Sequence, residues 1–344
     1  MIIYPSPIKT GSVVGITAPS SGVDSKLHER LNLAELNLKN KGFEILEGNC
    51  LRSDFKQVSG SPEMRAADLM RLWNDPEVSF IYPPWGGSLL VEILPLLDFD
   101  QIKNSPKWIL GYSDISTLLL PITTLTDIAT AHGTNLFDSV SSQSDPLTLN
   151  ALQFLNLNKG DIFEQKSSEL WQKQWPDLQK DFNCAYHLTE KTEWKILKKT
   201  DYCVEFSGRL IGGCLDSLVA LTGTPFGAVP EFSHRYKNDK TIIYLKNCEQ
   251  DPYALCRILW NFKLAGWFEN ASGIIFGRDP KSGSNVENEL TNTEAIENVL
   301  GNLNIPIVLD ADIGHMPPQI TLINGALGTV RCEHGRGLVK QKLG

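Results

Sequence analysis

Basic clusters, long apolar runs and paired cysteines are all missing from this chain. No Lys/Arg-rich run occurs and the net charge is -8, so we expect no nucleic-acid partner. No apolar stretch is long enough to span a bilayer, and residues 1–9 lack the basic start and apolar core of a signal peptide, so we expect no membrane association. The seven cysteines are an odd number with no Cys-x-x-Cys pair, which favours reduced thiols in a cytoplasmic protein.

A glycine-rich phosphate turn is also missing after the first predicted strand. Residues 13–18 form a compact apolar run typical of a buried strand. The chain then continues with Pro19-Ser20-Ser21-Gly22 and not with the Gly-x-Gly-x-x-Gly turn of a dinucleotide site. This departure argues against a nicotinamide enzyme.

What the sequence does contain is a regular alternation of strand and helix patterns. The predicted strands are residues 13–18, 43–46, 78–82, 108–110 and 128–133, and the predicted helices are residues 27–38, 61–73, 89–97 and a helix from 115 onward. Such alternation predicts an α/β fold with a mostly parallel sheet, covered on both faces, whose sites form at the carboxyl ends of the strands. A chain of 344 residues with 42% hydrophobic composition is long enough for two domains, and we place the first at residues 1–138.

The composition changes between residues 139 and 207, which are polar and carry Trp171, Trp175 and Trp194. We interpret this stretch as the connection between the domains, draped over the cleft. Its tryptophans could stack on a planar group of a ligand, or they could pin the connection to the domain body. Residues 208–344 then form the second domain. Its predicted strands are 241–245, 273–277 and 305–309, and its predicted helices are 253–268 and 293–300.

The stretch Gly111-Tyr112-Ser113-Asp114 lies where a buried strand gives way to a helix. A serine at such a sharp turn projects its hydroxyl outward, beside the free N–H groups of the helix, as a nucleophile elbow requires. The hydrolase form of the motif has a glycine two residues after the serine, and Ile115 stands there, so the match is partial. Gly86-Gly87, after the strand at 78–82, could supply N–H donors to an oxyanion or could form an ordinary tight turn.

A nucleophilic serine also needs a base and a carboxylate that orients the base. His315 is the best placed of the six histidines, because it follows a strand end and lies between Gly314 and a stiff Pro-Pro pair. His132, which also lies at a strand end, is the alternative. Glu249 lies just past the strand at 241–245 and is the candidate carboxylate, although it could equally be a solvated loop residue.

Five motifs in sequence order resemble the LD-carboxypeptidase family of serine peptidases, which includes the microcin C self-immunity proteins. These motifs are Ser20-Ser21, Gly86-Gly87 and residues 111–114, 208–213 and 312–319. The resemblance implies an amino-terminal Rossmann-like parallel-sheet domain and a smaller α+β carboxy-terminal domain that supplies glutamate and histidine. It also implies a Ser-Glu-His triad, hydrolysis without metal or cofactor, and a homodimer. Its substrates would be small peptides with an L-to-D bond before a terminal D-amino acid, or acyl-adenylate compounds in the microcin branch.

Carried over to this sequence, the resemblance makes Ser113 the nucleophile and His315 the general base that later protonates the leaving amine. The backbone N–H groups of Gly87 and Asp114 would form the oxyanion hole. The substrate-binding residues would be Gly86, Arg209, Trp171 and Trp175.

Lys246 is the departure from the family pattern. The family has its catalytic glutamate immediately after the strand that ends at Leu245, and Lys246 occupies this position. A lysine ammonium cannot accept the Nδ1–H of histidine, and its positive charge opposes protonation of His315. Loss of the orienting carboxylate in a related triad costs on the order of 10⁴ in turnover. Either Glu249 supplies the carboxylate, or the enzyme is impaired, or the chain is a non-catalytic binder of peptidoglycan fragments.

Overall fold

Two large β-sheets, one small two-stranded sheet and flanking helices make up the fold of the described residues. The computed structural model describes residues 1–141, 144–173, 178, 180–198, 202–279 and 289–343. Trp175, one of the predicted substrate-binding residues, lies outside the described residues.

Sixteen strands and nine α-helices occur within the described residues. The strands are β1 (Val13–Ile16), β2 (Glu44–Glu47), β3 (Val78–Ile81), β4 (Trp108–Gly111), β5 (Thr130–His132), β6 (Ile162–Lys166), β7 (Leu170–Trp171), β8 (Glu190–Lys191), β9 (Lys195–Ile196), β10 (Cys203–Cys214), β11 (Thr241–Lys246), β12 (Ala271–Gly277), β13 (Ile307–Ala311), β14 (Leu322–Asn324), β15 (Leu327–Glu333) and β16 (Arg336–Lys342). The helices are α1 (His28–Asn40), α2 (Pro62–Asn74), α3 (Phe99–Asn104), α4 (Ser116–Thr126), α5 (Pro146–Leu149), α6 (Leu215–Leu218), α7 (Val229–Arg235), α8 (Pro252–Leu264) and α9 (Asn292–Leu300).

The first sheet has the strand order β14-β5-β4-β3-β1-β2. Its first five strands in sequence are parallel, and β14 joins the edge antiparallel to β5. The order reverses between β1 and β3, and such a switch point opens a crevice at the carboxyl ends of the strands. The predicted α/β fold class with a mostly parallel amino-terminal sheet is therefore confirmed.

The second sheet has eight strands in the order β6-β16-β15-β10-β11-β12-β13-β9. Strands β10 to β13 are parallel to their neighbours in this group, and the flanking strands are antiparallel. The stretch 139–207, predicted as a connection, supplies the two edge strands β6 and β9. Its Trp194 is buried in the core of this sheet, so this side chain pins the connection to the domain body.

The two sheets meet where helix α4 begins. The N–H of Cys214, at the end of β10, donates to Ser116 Oγ in the first turn of α4 at 3.0 Å. Gly213 has a φ of +154°, and a Cβ there would lie 2.7 Å from Ser116 Oγ, so a glycine is needed for this close approach. The contact brings the end of β11 towards the turn that follows β4.

One predicted helix takes a different form. Residues 89–97 show helical spacing, but Leu90–Leu96 is a 3₁₀-helix with Pro95 inside it. Proline has no N–H to donate and clashes with the preceding turn, so the α-helical ladder cannot form across it. In the described part of the chain, no helix combines the length and apolarity needed to cross a bilayer.

Candidate active site

Ser113 lies on a sharp turn between β4 and α4. Its φ is +62°, in the left-handed region where a non-glycine residue carries about 1–3 kcal/mol of strain. Gly111 allows the turn to close, because a Cβ there would lie 2.9 Å from both Asn135 Oδ1 and Ile115 Cγ2. The turn has the strained strand-to-helix geometry of a nucleophile elbow, although Ile115 replaces the usual second glycine.

His315 reaches this serine from the second domain. Its Nε2 lies 3.0 Å from Ser113 Oγ, across a sequence separation of 202 residues. The ring packs edge-on against Tyr112, with centroids 5.0 Å apart. His132 is fully buried, and its ring lies near Tyr112, with centroids 6.4 Å apart, and against Tyr244. Of the two histidines that the sequence left open, the structure therefore brings His315 to the serine.

A buried ion pair holds the loop that carries His315. Arg278, just past β12, donates from Nη1 to Asp312 Oδ1 at 2.7 Å, and both side chains are buried. The same guanidinium donates to the carbonyl oxygens of Met316 at 2.8 Å and Pro318 at 2.5 Å. Asp312 also accepts a hydrogen bond from Trp194 Nε1 at 2.7 Å. Through these bonds, the Arg278 guanidinium and the Asp312 carboxylate fix the backbone before and after His315.

Among the residues that the structure describes, neither the far side of the His315 ring nor Lys246 has an oxygen or nitrogen acceptor. The His315 Nδ1 is buried without a hydrogen-bond partner. Lys246, at the end of β11, is also fully buried, and its Nζ makes no hydrogen bond to an oxygen or nitrogen atom. Burial holds the pKa of His315 well below its usual range, and the charges of Lys246 and His132 lower it further. His315 is therefore neutral near neutral pH, as a general base must be.

Glu249 does not supply the missing carboxylate contact to His315. Glu249 is exposed, and its backbone N–H donates to Asp216 Oδ1 at 3.0 Å. Asp216 also accepts hydrogen bonds from the Cys248 N–H at 2.9 Å and from Gln250 Nε2 at 2.9 Å. These bonds fold residues 248–250 around Asp216. The sequence proposal that Glu249 orients His315 is therefore not realised in this structure.

Gly86, predicted to bind substrate, and Gly87, predicted to donate to the oxyanion, line the same cleft as Ser113, and Asp114 follows Ser113 in the chain. Gly86 approaches the serine closely, because a Cβ there would lie 2.9 Å from both Ser113 Cβ and the Asp114 nitrogen. Gly87 has a φ of +148°, and a Cβ on it would overlap the Ser20 hydroxyl. The buried Asp114 carboxylate accepts hydrogen bonds from Ser20 Oγ at 2.6 Å and from the Leu90 N–H at 2.9 Å. Asp114 thus ties the Gly86-Gly87 loop to the start of α4.

A cleft of about 440 Å³ opens above Ser113. Sequence reasoning did not assign Trp85, Phe137 or Asp138 to it, although Trp85 directly precedes the paired glycines and Asp138 follows the end of β5. Trp85 packs edge-on against Phe137 with centroids 5.0 Å apart. Burial raises the pKa of the Asp138 carboxyl to about 6, although hydrogen bonds from Asn135, Tyr186 and Tyr112 act to lower it. The cleft therefore combines aromatic walls with one buried carboxyl group.

Arg209 and Trp171 do not line this cleft. Arg209 pairs with Asp239 at 2.7 Å and donates to the Gly325 carbonyl at 2.7 Å. It is five positions before the end of β10, roughly 16 Å along the strand, so its role is structural and not substrate binding as predicted. Trp171 Nε1 donates to the Lys191 carbonyl at 3.0 Å, and its ring faces the Arg278 guanidinium. Within the described residues, no group of three or more His, Cys, Asp or Glu could hold a metal ion.

The buried His132 makes stability sensitive to acid. Burial lowers its pKa to about 3, and the Lys246 charge adds to this effect. An unfolded histidine titrates near about 6.5, so the unfolded chain binds the extra proton first and stability falls as the pH drops from about 6.5 towards 3. At about pH 5 this one group should cost about 2 kcal/mol.

A His132→Phe variant should therefore lose less stability on acidification. Urea unfolding in bicarbonate-free buffer at about pH 7.5 and about pH 5 measures the two losses, and we expect the variant's loss to be smaller by about 2 kcal/mol. Equal losses in both proteins would show that His132 does not titrate as described.

The fold and the site together define a class of protein: two α/β domains, with a serine on an elbow of one and a histidine of the other beside it. The chain matches the LD-carboxypeptidase N-terminal domain over residues 14–133 and the LD-carboxypeptidase C-terminal domain over residues 207–330. It therefore belongs to the LD-carboxypeptidase family of peptidases. The family resemblance inferred from the five motifs is confirmed.

Individual relatives cover almost the whole chain. It is 27% identical over 325 residues to a probable murein peptide carboxypeptidase of Bacillus subtilis (strain 168), covering 94% of this chain and 89% of the relative. It is 25% identical over 325 residues to the microcin C7 self-immunity protein MccF of Escherichia coli, covering 92% of this chain and 90% of the relative. The crystal structure of an MccF-like protein from Bacillus anthracis str. Ames superposes with a TM-score of 0.83 at 23% identity, covering 99% of this chain and 100% of that one. At that identity the superposition shows a shared fold alone.

Proposed function

We propose that this protein is a cytoplasmic serine hydrolase that cleaves an L-to-D peptide bond before a terminal D-amino acid in murein-derived peptides. One observation carries the proposal: Ser113 Oγ and His315 Nε2 lie 3.0 Å apart at the mouth of the cleft. The similarity to a probable murein peptide carboxypeptidase supports the substrate class.

In the proposed reaction, Ser113 Oγ attacks the carbonyl carbon of the L-residue while His315 Nε2 takes the hydroxyl proton. The N–H groups of Gly87 and Asp114 are the donors assigned to the developing oxyanion, and one such donor is typically worth about 10²–10³ in turnover. The histidine then passes its proton to the amine of the leaving D-amino acid. Water, activated by the same base, hydrolyses the acyl-enzyme.

A non-catalytic binder of peptidoglycan fragments is the second candidate, and the unpartnered Nδ1 of His315 favours it. Without an acceptor on Nδ1, the imidazole can carry its proton on Nε2, and that tautomer cannot deprotonate the serine. A hydrolase of acyl-adenylates, in the manner suggested by the microcin branch, has less support. Stacking of a planar adenine group on Trp171 or Trp194 would support it, but Trp171 Nε1 donates to the Lys191 carbonyl outside the cleft and Trp194 is buried in the core.

The test is cleavage of a tetrapeptide with a terminal L-to-D bond, compared with the same peptide ending in the L-amino acid. We expect release of the D-amino acid only, together with covalent labelling of Ser113 by a fluorophosphonate probe. The nearby exposed serine Ser88 is the matched control, and a Ser88→Ala variant should be labelled as fully as the native protein. A folded protein that binds the peptide but neither cleaves it nor accepts the probe would establish the binder instead.

A further inference from the structure

Near the Ser113–His315 pair, three buried side-chain nitrogen atoms have no oxygen or nitrogen hydrogen-bond partner among the described residues. They are Lys246 Nζ, His315 Nδ1 and His132 Nδ1. Lys246 has no exposed surface, His132 is 1% exposed, and the His315 Nδ1 atom is buried as well. Buried polar groups of folded proteins are almost always hydrogen-bonded, so three such nitrogen atoms in one region need an explanation.

The three residues belong to one cluster. The Lys246 stem passes the α-carbon of Gly314, because a Cβ built there would lie 2.6 Å from Lys246 Cδ and 2.7 Å from its Cε. Gly314 directly precedes His315 in the chain. The Lys246 charge lowers the pKa of both histidines, and His132 in turn acts on His315. Tyr112 lies against both imidazole rings.

What the cluster lacks is an acceptor. Each of the three groups can donate a hydrogen, and no carboxylate forms a hydrogen bond or an ion pair with any of them in the described structure. The Cys248 thiol is beside Lys246, but burial raises its pKa, so it remains a neutral thiol and not a counter-ion. Apart from this thiol, the described residues place no hydrogen-bond acceptor beside the Lys246 amine. An anion with two oxygen atoms would satisfy all three donors.

We propose that Lys246 is a carboxylation site, at which carbon dioxide converts the side-chain amine to a carbamate. The neutral Nζ attacks the carbon of CO₂, a nitrogen–carbon bond forms, and one C=O electron pair moves to oxygen. One Nζ proton leaves to solvent, so the product is R–NH–COO⁻. The reaction needs no oxidant, reductant or metal. It places at this position an anion that has two acceptor oxygens.

The catalytic consequence rests on the proposed function, whereas the modification itself does not. One carbamate oxygen accepts the Nδ1–H of His315, which fixes the base tautomer and stabilises the imidazolium that forms during catalysis. The second oxygen accepts the Nδ1–H of His132. The carbamate thus supplies the carboxylate that the family places at this position and that Lys246 removes. Catalysis then depends on the concentration of dissolved CO₂.

The direct test is a ¹³C NMR spectrum of the full-length protein in mildly alkaline buffer with ¹³C-bicarbonate. We expect one carbamate resonance that is absent from Lys246→Met. Lys107 provides the matched control, because it is also buried but donates to the carbonyl oxygens of Asp75 and Val78. Those acceptors would repel a carbamate, so Lys107→Arg should keep the resonance. A spectrum of the folded native protein without this resonance would overturn the proposal.

Turnover of the L,D-tetrapeptide gives the second readout. Removal of CO₂ should reduce kcat by up to about 10⁴, the loss seen when a related triad loses its orienting carboxylate. Lys246→Glu should be insensitive to bicarbonate. A bicarbonate-dependent rate without the carbamate resonance would mean a bound anion and would also overturn the proposal. A Lys246 carbamate in a protein that leaves the peptide intact would uphold carboxylation and reject the peptidase function.

Discussion

Replacement of Ser113 by alanine is expected to reduce kcat for the L,D-tetrapeptide by on the order of 10⁶ in bicarbonate-saturated buffer. In the proposed mechanism the serine supplies the attacking oxygen and His315, 3.0 Å away, removes its proton, so neither side chain would work without the other. His315→Ala should therefore cost a similar factor, and the double variant should cost no more than either single variant. Steady-state kinetics of the four proteins, with D-amino acid release as the signal, measures these losses.

Ser88→Ala removes an exposed serine beside the same cleft and should leave kcat unchanged. If the Ser113 and His315 losses multiplied in the double variant, the two residues would be acting independently and the proposed general-base relation would be wrong. Substrate affinity should change little in all four proteins, because the cleft walls around Trp85 and Phe137 are untouched.

Local patterns were enough to predict the elements that carry the serine. The predicted helix at residues 61–73 forms as α2, with Ser61 as its N-cap accepting the Met64 N–H, and the apolar run of β4 stops at the turn of Ser113. Each depends on neighbours in the sequence: a capping side chain, a buried strand and a glycine where the chain must turn. Gly87 is another such position, because its φ of +148° lies in a region that glycine adopts readily and other residues rarely do.

Contacts between distant residues could not be predicted in this way. The Arg278–Asp312 pair joins residues from the ends of two strands, and each residue alone resembles a solvated charge in the sequence. Arg209 was predicted to bind substrate because it lies in a family motif. In the structure its side chain instead forms an ion pair with Asp239. The acid sensitivity of His132 follows from complete burial, which depends on how the two sheets meet.

The resemblance and the geometry lead to one question about Lys246. Among the described residues, no carboxylate reaches His315 Nδ1, and the nearest sequence candidate, Glu249, is exposed with its backbone bonded to Asp216. A peptidase family member with this substitution must either lose most of its rate or obtain an anion from elsewhere. The measurements on Lys246 therefore decide whether the Ser113–His315 pair has full catalytic support.

Arg278→Met is expected to destabilise the fold by about 3–5 kcal/mol, because Asp312 would remain buried without its counter-charge. It should also lower kcat more than it raises KM. The carbonyl oxygens of Met316 and Pro318 lose their donors, so His315 is no longer held against Ser113. Urea unfolding and steady-state kinetics on the same preparation measure the two effects separately.

A second substitution separates stability from positioning. Adding Asp312→Asn to Arg278→Met removes the uncompensated charge and should recover part of the lost stability, while kcat stays low because the two carbonyls still lack donors. Arg209→Met is the control: it breaks another ion pair, between the buried Arg209 and the partly exposed Asp239, outside the cleft, and should lower stability without lowering kcat. If kcat in the double variant recovered together with stability, Arg278 would only stabilise the fold and would not position His315. If Arg209→Met lowered kcat as much as Arg278→Met, the loss would reflect general destabilisation and not displacement of the histidine.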